Sequence, residues 1–245
     1  MQNSMSTDNA SRHPCEALFD AVVQDPALTS IERMVAYYET QAKDYLGNGI
    51  YEMCLGMLWL QGKRYEKART ALRAGLATQN VYHQKLHYAL VSIDIEQGHF
   101  AKAKEAAREL TQTFPDWAGG HRLLMMAAMG EQAWAEATVH GEAAIERARD
   151  PAVFLGLTMA HHRLGQHREA VAALREALLI DSRLVAQPTG INQGSHSFLH
   201  LGQYADARHL IEARMRLDPR AATDQTLKQA IDILNGTENP NGGGQ

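Results

Sequence analysis

Long apolar runs are missing from this 245-residue chain. Nothing approaches the roughly 18 consecutive apolar residues of a membrane-spanning helix, so no span is expected. Cysteine is scarce. Cys15 and Cys54 are the two thiols, far apart in sequence, and they read as reduced and non-structural. Basic charge is not in excess: 24 Lys and Arg stand against 28 Asp and Glu, giving a formal net charge of -4 and a pI near 6.3. That argues against a nucleic-acid binder, which carries a basic face or stripe. The N-terminal stretch "MQNSMSTDNASRHPCEALFDAVVQ" has no basic segment leading into an apolar core, so no signal peptide is expected. No apolar run precedes Cys15 either, which leaves a lipid anchor without support, and the expected location is cytoplasmic. Catalytic signatures are lacking as well. There is no phosphate-binding or dinucleotide glycine loop and no G-x-S-x-G, and "HREA" and "HSFLH" are not H-E-x-x-H. Cys54 has no obvious paired base. The chain is expected not to be an enzyme, and to hold neither cofactor nor metal.

What is present is ordinary in bulk and patterned in detail. At 45% hydrophobic and 21% charged residues, the composition is that of a globular protein of one large or two small domains. The stretch from Leu55 to Leu76, "LGMLWLQGKRYEKARTALRAGL", spaces small residues (Gly56, Gly62, Ala68, Ala71, Gly75) among large ones (Leu55, Leu58, Trp59, Tyr65, Leu72). The pattern recurs. A glycine or polar turn is followed by an aromatic and then an alanine in "GKRYEKA", "GHFAKA", "EQAWAEA", "GQHREA" and "GQYADA", ending at Ala68, Ala103, Ala137, Ala170 and Ala207. These alanines are about 33 to 37 residues apart, a period at which helix pairs stack. Apolar helical segments lie on both sides of each turn, and Pro115, Pro151 and Pro219 punctuate the ends, where a helix must stop. Each unit is therefore expected to be two antiparallel helices, with small residues where they cross and large ones filling the gap to the next unit.

This pattern resembles the tetratricopeptide repeat family over roughly Gly49 to Pro219. The first unit carries Leu55, Gly56, Trp59, Tyr65, Ala68 and Leu72. The second carries Leu90, Gly98, Phe100, Ala103 and Pro115; the third Leu124, Trp134, Ala137 and Ala144. The fourth carries Leu157, Gly165, Ala170, Leu174 and Ala177, and the fifth Phe198, Gly202, Tyr204, Ala207 and Pro219. Two departures stand out: His167 replaces the turn aromatic in the fourth unit, and "DSRLVAQPTGINQ" adds residues before the fifth. The resemblance implies an all-α right-handed superhelical solenoid of about five repeats with helical caps. The expected organisation is an unstructured N-terminus (1–12), a capping helical pair (13–48), five repeats (49–220), a closing helix (221–236) and an unstructured tail (237–245). "SIERMVAYYETQAKDYLG" is amphipathic, with Ile31, Met34, Val35, Tyr38 and Ala42 on one face.

The family's binding surface is the concave one lined by the first helices. Carried over unit by unit, that implies a partner-binding groove of Met53, Met57 and Leu60, then Tyr88 and Ile95, then Arg122, Met126 and Met129. The fourth unit adds Leu155, Met159, His162 and Arg163, and the fifth Asn192, His196, Leu199 and His200. Five of the ten methionines fall on this list, and methionine suits adaptable apolar surfaces. The groove is expected to hold an apolar or amphipathic segment of another protein, as an adaptor, assembly factor or chaperone-like holder. Lys85, Arg122 and Arg163 would add specificity. The clamp by which some family members hold a terminal carboxylate cannot form here, because Met53 and Met57 stand at its places. Trp117 is either a binding anchor or packing at a joint, whereas Trp59 and Trp134 read as structural. Two alternatives remain open. One is a homo-oligomeric scaffold in which the N-terminal helices of one copy fill the groove of another. The other is a metal- or pH-responsive cluster of His162, His196 and His200, for which no cysteine or carboxylate is placed to complete a metal site.

Overall fold

The computed structural model describes residues 13–78 and 82–238. Among them every regular element is a helix. The chain divides into two units, residues 1–97 and 98–245.

The first unit holds α1 (Pro14–Gln24), α2 (Ile31–Gln41), α3 (Ile50–Gln61), α4 (Tyr65–Leu76) and α5 (His83–Glu96). Local chemistry sets the starts. Pro14 sits in the first turn of α1, where a missing N–H costs nothing, and the Ser30 hydroxyl accepts from the Arg33 amide at the head of α2. Glu52 reaches back from α3 to accept from the amides of Gly47 and Gly49 at 2.7 and 2.8 Å. Helix α3 is apolar on every side because α1, α2, α4 and α5 all pack on it. Gly56 is the crossing point with α4: a Cβ there would lie 2.6 Å from Leu72 Cγ. The amphipathic face of α2 is spent within this unit, with Val35, Tyr38 and Ala42 all buried.

The second unit holds α6 (Phe100–Thr113), α7 (Ala118–Gly130), α8 (Trp134–Arg147), α9 (Pro151–Arg163), α10 (His167–Ile180), α11 (Pro188–His200), α12 (Tyr204–Leu217) and α13 (Gln225–Glu238). Successive helices pack as antiparallel pairs, and α9 is flanked by α7, α8, α10 and α11. Gly141 meets Leu157, and Gly194 meets Leu174, as Gly56 meets Leu72 in the first unit. The repeat alanines Ala103, Ala137, Ala170 and Ala207, like Ala68 of the first unit, have no exposed surface.

The turns hold one surprise. A left-handed residue lies at Gly98, Gly165 and Gly202, but at Lys63 and Gln132 in the other two turns. Gly62, the residue before Lys63, has an ordinary negative φ of -83°. Its place is set by packing, since a Cβ would lie 2.7 Å from Ile31 of α2.

The closing helix starts later than expected. A 3-10 turn occupies Pro219–Thr223, and Asp224, whose carboxylate accepts from the Leu227 amide at 3.0 Å, sets the start of α13 at Gln225. Residues 237–238, expected in the tail, belong to that helix. The other residues expected to be unstructured, 1–12 and 239–245, lie outside the described residues.

Candidate functional site

In the first unit the expected groove residues separate by exposure. Met53 is 8% exposed and part of the core. This corrects its assignment to a free surface: α3 is enclosed on several sides and that position points inward. Met57 and Leu60 on α3, and Tyr88 and Ile95 on α5, are half-buried. The ammonium of Lys85 lies 3.2 Å from Glu16 and caps the Tyr82 ring at 5.3 Å.

In the second unit, α7 carries Arg122, Met126 and Met129; α9 carries Leu155, Met159, His162 and Arg163; α11 carries Asn192, His196, Leu199 and His200. Helix α9 packs on both α7 and α11. Met126, Met129, Met159, His162 and His196 are half-buried, and Arg163 and His200 are exposed. Leu155, Asn192 and Leu199 are buried, so they too are corrected to packing residues. Leu155 backs onto the close approach of Gly190, and the Asn192 Oδ1 is buried without a hydrogen-bond partner. Arg122 is tied to Asp150 at 2.5 Å, and the Arg163 guanidinium lies 5.6 Å from the Trp134 ring. Met125, one residue before Met126, is the core methionine, 3% exposed and set against Gly141 and Gly156.

The histidines come together more fully than the sequence suggests. His162 lies 5.5 Å from His167, 6.2 Å from His196 and 6.4 Å from His200, centroid to centroid. His167 and His200 stack at 4.1 Å. Burial, reinforced by the neighbouring His167, His196, His200 and Arg163, pushes the His162 imidazole down to about 4. Burial and His200 lower His167 as well. Sequence reasoning treats His167 only as a missing turn aromatic, and misses the stack. Among the described residues no group of three or more His, Cys, Asp or Glu is placed to hold a metal.

Other polar features escape the pattern because their partners are remote in sequence. Arg69 is buried with Asp94 and Gln97, each at 2.7 Å. Lys104 reaches both Glu131 and Glu136 at 2.6 Å. Burial opposes its charge, but the two carboxylates hold it protonated, and Glu136 is lowered in turn by Lys104. His121 and His140 face each other at 5.8 Å, each with an Nδ1 lacking a partner, and burial lowers both. Cys15 and Cys54 are free and buried, and burial raises both thiols, Cys54 to about 12. Such thiols are poor nucleophiles. Trp117 is half-buried, edge-on to Phe114 at 6.3 Å and pressed against Gly119, which places it as packing at the α6–α7 joint.

Helix pairs of this length, crossing at small residues and repeating at one period, invite comparison with known repeat proteins. The family model for the tetratricopeptide repeat matches residues 154–183, spanning most of α9 and all of α10. That match identifies one tetratricopeptide repeat within the chain, and the helix pairs on either side share its fold. No curated protein matches it in sequence. Among solved structures, it is similar to TTC0263, a thermophilic tetratricopeptide protein of Thermus thermophilus, at 20% identity and a TM-score of 0.57, covering 76% of this chain and 99% of that one. A chain of the APC/C hetero-tetramer Cut9–Hcn1 gives a TM-score of 0.67 at 16% identity, covering 91% of this chain and 44% of that one. YrrB, described as having an unusual peptide-binding site, gives 0.51 at 12% identity, covering 81% and 96%. At these identities the likeness is one of fold. Tetratricopeptide repeat proteins are generally protein–protein interaction modules on a typically non-catalytic scaffold. No helix among the described residues is long and apolar enough to cross a membrane.

Proposed function

We propose that this repeat protein holds an apolar or amphipathic segment of a partner protein against its first helices, as a cytoplasmic adaptor, assembly factor or chaperone-like holder. The observation that supports this is the split between adjacent methionines in the second unit. Met125 is consumed by the core, while Met126, Met129 and Met159 on α7 and α9 keep part of their surface. Flexible thioethers in that position can follow the contour of more than one apolar ligand. In the first unit Met57, Leu60, Tyr88 and Ile95 offer a comparable half-buried set. Arg163 and His200, both exposed, would orient a polar group of the partner. The peptide-binding site named for YrrB is consistent with this use of the fold.

Site-specific photo-crosslinking tests the proposal. Benzoylphenylalanine placed at Met126 or Met159 should capture a partner segment that mass spectrometry identifies as apolar or amphipathic. The same probe at Val139 or Leu179, 61% and 78% exposed on second helices, should not. Met57→Glu, Met126→Glu, Met159→Glu together should abolish capture while circular dichroism stays helical. Capture from Val139 or Leu179 alone would place binding on the other face and sink the proposal. The self-assembly alternative has less support, because the α2 face it needs as a donor is already buried against α3.

A further inference from the structure

We propose that the packing of α11 against α9 and α10 is a proton-sensitive joint: neutral imidazoles fill it, and adding protons to it in acid loosens α11 from its neighbours. The reading rests on geometry. Four imidazoles from three helices converge, His162 from α9, His167 from α10, and His196 and His200 from α11. The His167 and His200 rings lie parallel within 6° at 4.1 Å. Ser197, fully buried, bridges two of them, with its Oγ 2.9 Å from His162 Nδ1 and 3.3 Å from His167 Nδ1. A hydroxyl has one proton. With neutral rings it donates to one Nδ1 and accepts from the other, which fixes complementary tautomers. His196 donates from Nε2 to the Thr226 carbonyl at 2.8 Å, because a carbonyl only accepts. Added protons disrupt this arrangement, and they place like charges on stacked and adjacent rings.

Among the described residues none of the four rings makes an ion pair. On α9, His161 is bonded to Gln166 at 2.7 Å, and Arg163 adds positive charge. On α10, Arg168 and Glu169 are exposed, Arg175 pairs with Asp206 of α12 at 3.5 Å, and Glu176 pairs with Arg149. Asp181, before the turn into α11, is held by Arg183. On α12, His209 and Glu212 are exposed and Arg208 is half-buried. On α13, Lys228 and Asp232 are exposed, and Asp224 before it caps the Leu227 amide. On α8, Glu136 is taken by Lys104 and Glu142 and Glu146 are exposed; on α7, Arg122 is taken by Asp150. The lowered His162 and His167 agree with this arrangement.

The sign follows from linkage. The unfolded chain titrates these rings near the ordinary 6.5, whereas the fold resists protonating His162 until about 4. The unfolded state therefore binds more protons in that window, and stability falls as pH drops through it. The stability is fully present above the ordinary value, and the loss levels off below the lowered one. Urea denaturation of the full chain at pH 7.5 and pH 5.0 tests this, comparing wild type with His162→Gln and with His162→Gln, His167→Gln. Glutamine can still hydrogen-bond Ser197 but does not titrate. The wild-type folding constant should drop more between the two pH values than that of His162→Gln, by a factor on the order of 30. Taking the difference removes the contribution of His121 and His140, which are common to both. Hydrogen exchange in wild type at pH 5 should show α11 losing protection ahead of α7 and α8. Equal pH dependence in wild type and double variant overturns the proposal. Should the variants not fold, NMR titration of wild type decides: a His162 ring titrating in the folded protein at the ordinary value overturns it, and one titrating well below supports it.

Discussion

Two joints of the second unit bury polar groups between helices, and they do it with opposite chemistry. At the first, Lys104 of α6 meets Glu131 and Glu136 at 2.6 Å. Its ammonium is raised and Glu136 is lowered, so the charges persist across the neutral range. At the second, four imidazoles meet without an ion pair. The positions explain the switch. Lys104 is the fifth residue of α6, and Arg69, buried with Asp94 in the first unit, is the fifth of α4. The fifth residue of α10 is Val171, 3% exposed, so no cation is available there. The lesson is that one repeat geometry accepts either a permanent charge pair or a titratable cluster at its polar joints. On the proposal above, the second couples the fold to pH just below neutrality, whereas the first keeps its charges there.

The largest expected effect comes from breaking the permanent joint. Lys104→Met should destabilise the chain by about 2 to 3 kcal/mol in urea titration near pH 7, because two carboxylates a third exposed lose the ammonium between them, and Glu136 keeps only the more distant Arg108 at 4.0 Å and His140 at 3.9 Å. The cost should shrink in acid. Glu136 is held below its ordinary value of 4.5 in wild type, so its contribution is present above that value and lost as pH falls through the lowered one. In the variant the Lys104 share of that contribution, the largest, is gone, and protonation relieves the repulsion. A Lys104→Met penalty that stays constant from pH 7 to pH 4 would mean the pair is incidental.

Much of this molecule could be read before any coordinates, for a local reason. A turn followed by an aromatic and an alanine is a short-range signal, and all five alanines it marks are fully buried. The matching prediction at the crossings concerns glycine. Gly56→Ala should cost about 1 to 2 kcal/mol, since its Cβ meets Leu72 at the branch carbon, with no rotamer to yield and only a modest gain in helix propensity. Gly194→Ala should cost less, because its closest contact is the Cδ2 end of Leu174. Equal costs in thermal unfolding would show that the two crossings relax alike. What could not be read was phase. In "AGGHRLLMMAAMG" nearly every position is apolar, so periodicity cannot tell Met125 from Met126, although one is core and the other half-exposed. The same ambiguity put Met53, Leu155, Asn192 and Leu199 on a surface they do not line. Nor could spacing pair His167 with His200, which meet only because α10 and α11 pack.

The smallest expected effect is the sharpest for the comparison between joints. His167 occupies the place that Tyr65, Phe100, Trp134 and Tyr204 hold at the starts of α4, α6, α8 and α12. His167→Phe restores an aromatic that can still stack on His200, while Ser197 keeps its hydrogen bond to His162. Near pH 8 the variant should lie within about 0.5 kcal/mol of wild type, the usual scale for a half-buried exchange that removes no core volume. Near pH 5 it should be the more stable of the two, reversing or widening the order seen at pH 8. His167 is lowered in the fold, so wild type loses stability as pH falls while the phenylalanine variant has no proton to take up at this site. If the two proteins keep the same order and spacing at both pH values, the imidazole at 167 is only a tolerated substitute for the repeat aromatic. A crossover in stability between pH 8 and pH 5 would show that the substitution changes the chemistry of the joint while leaving its geometry in place.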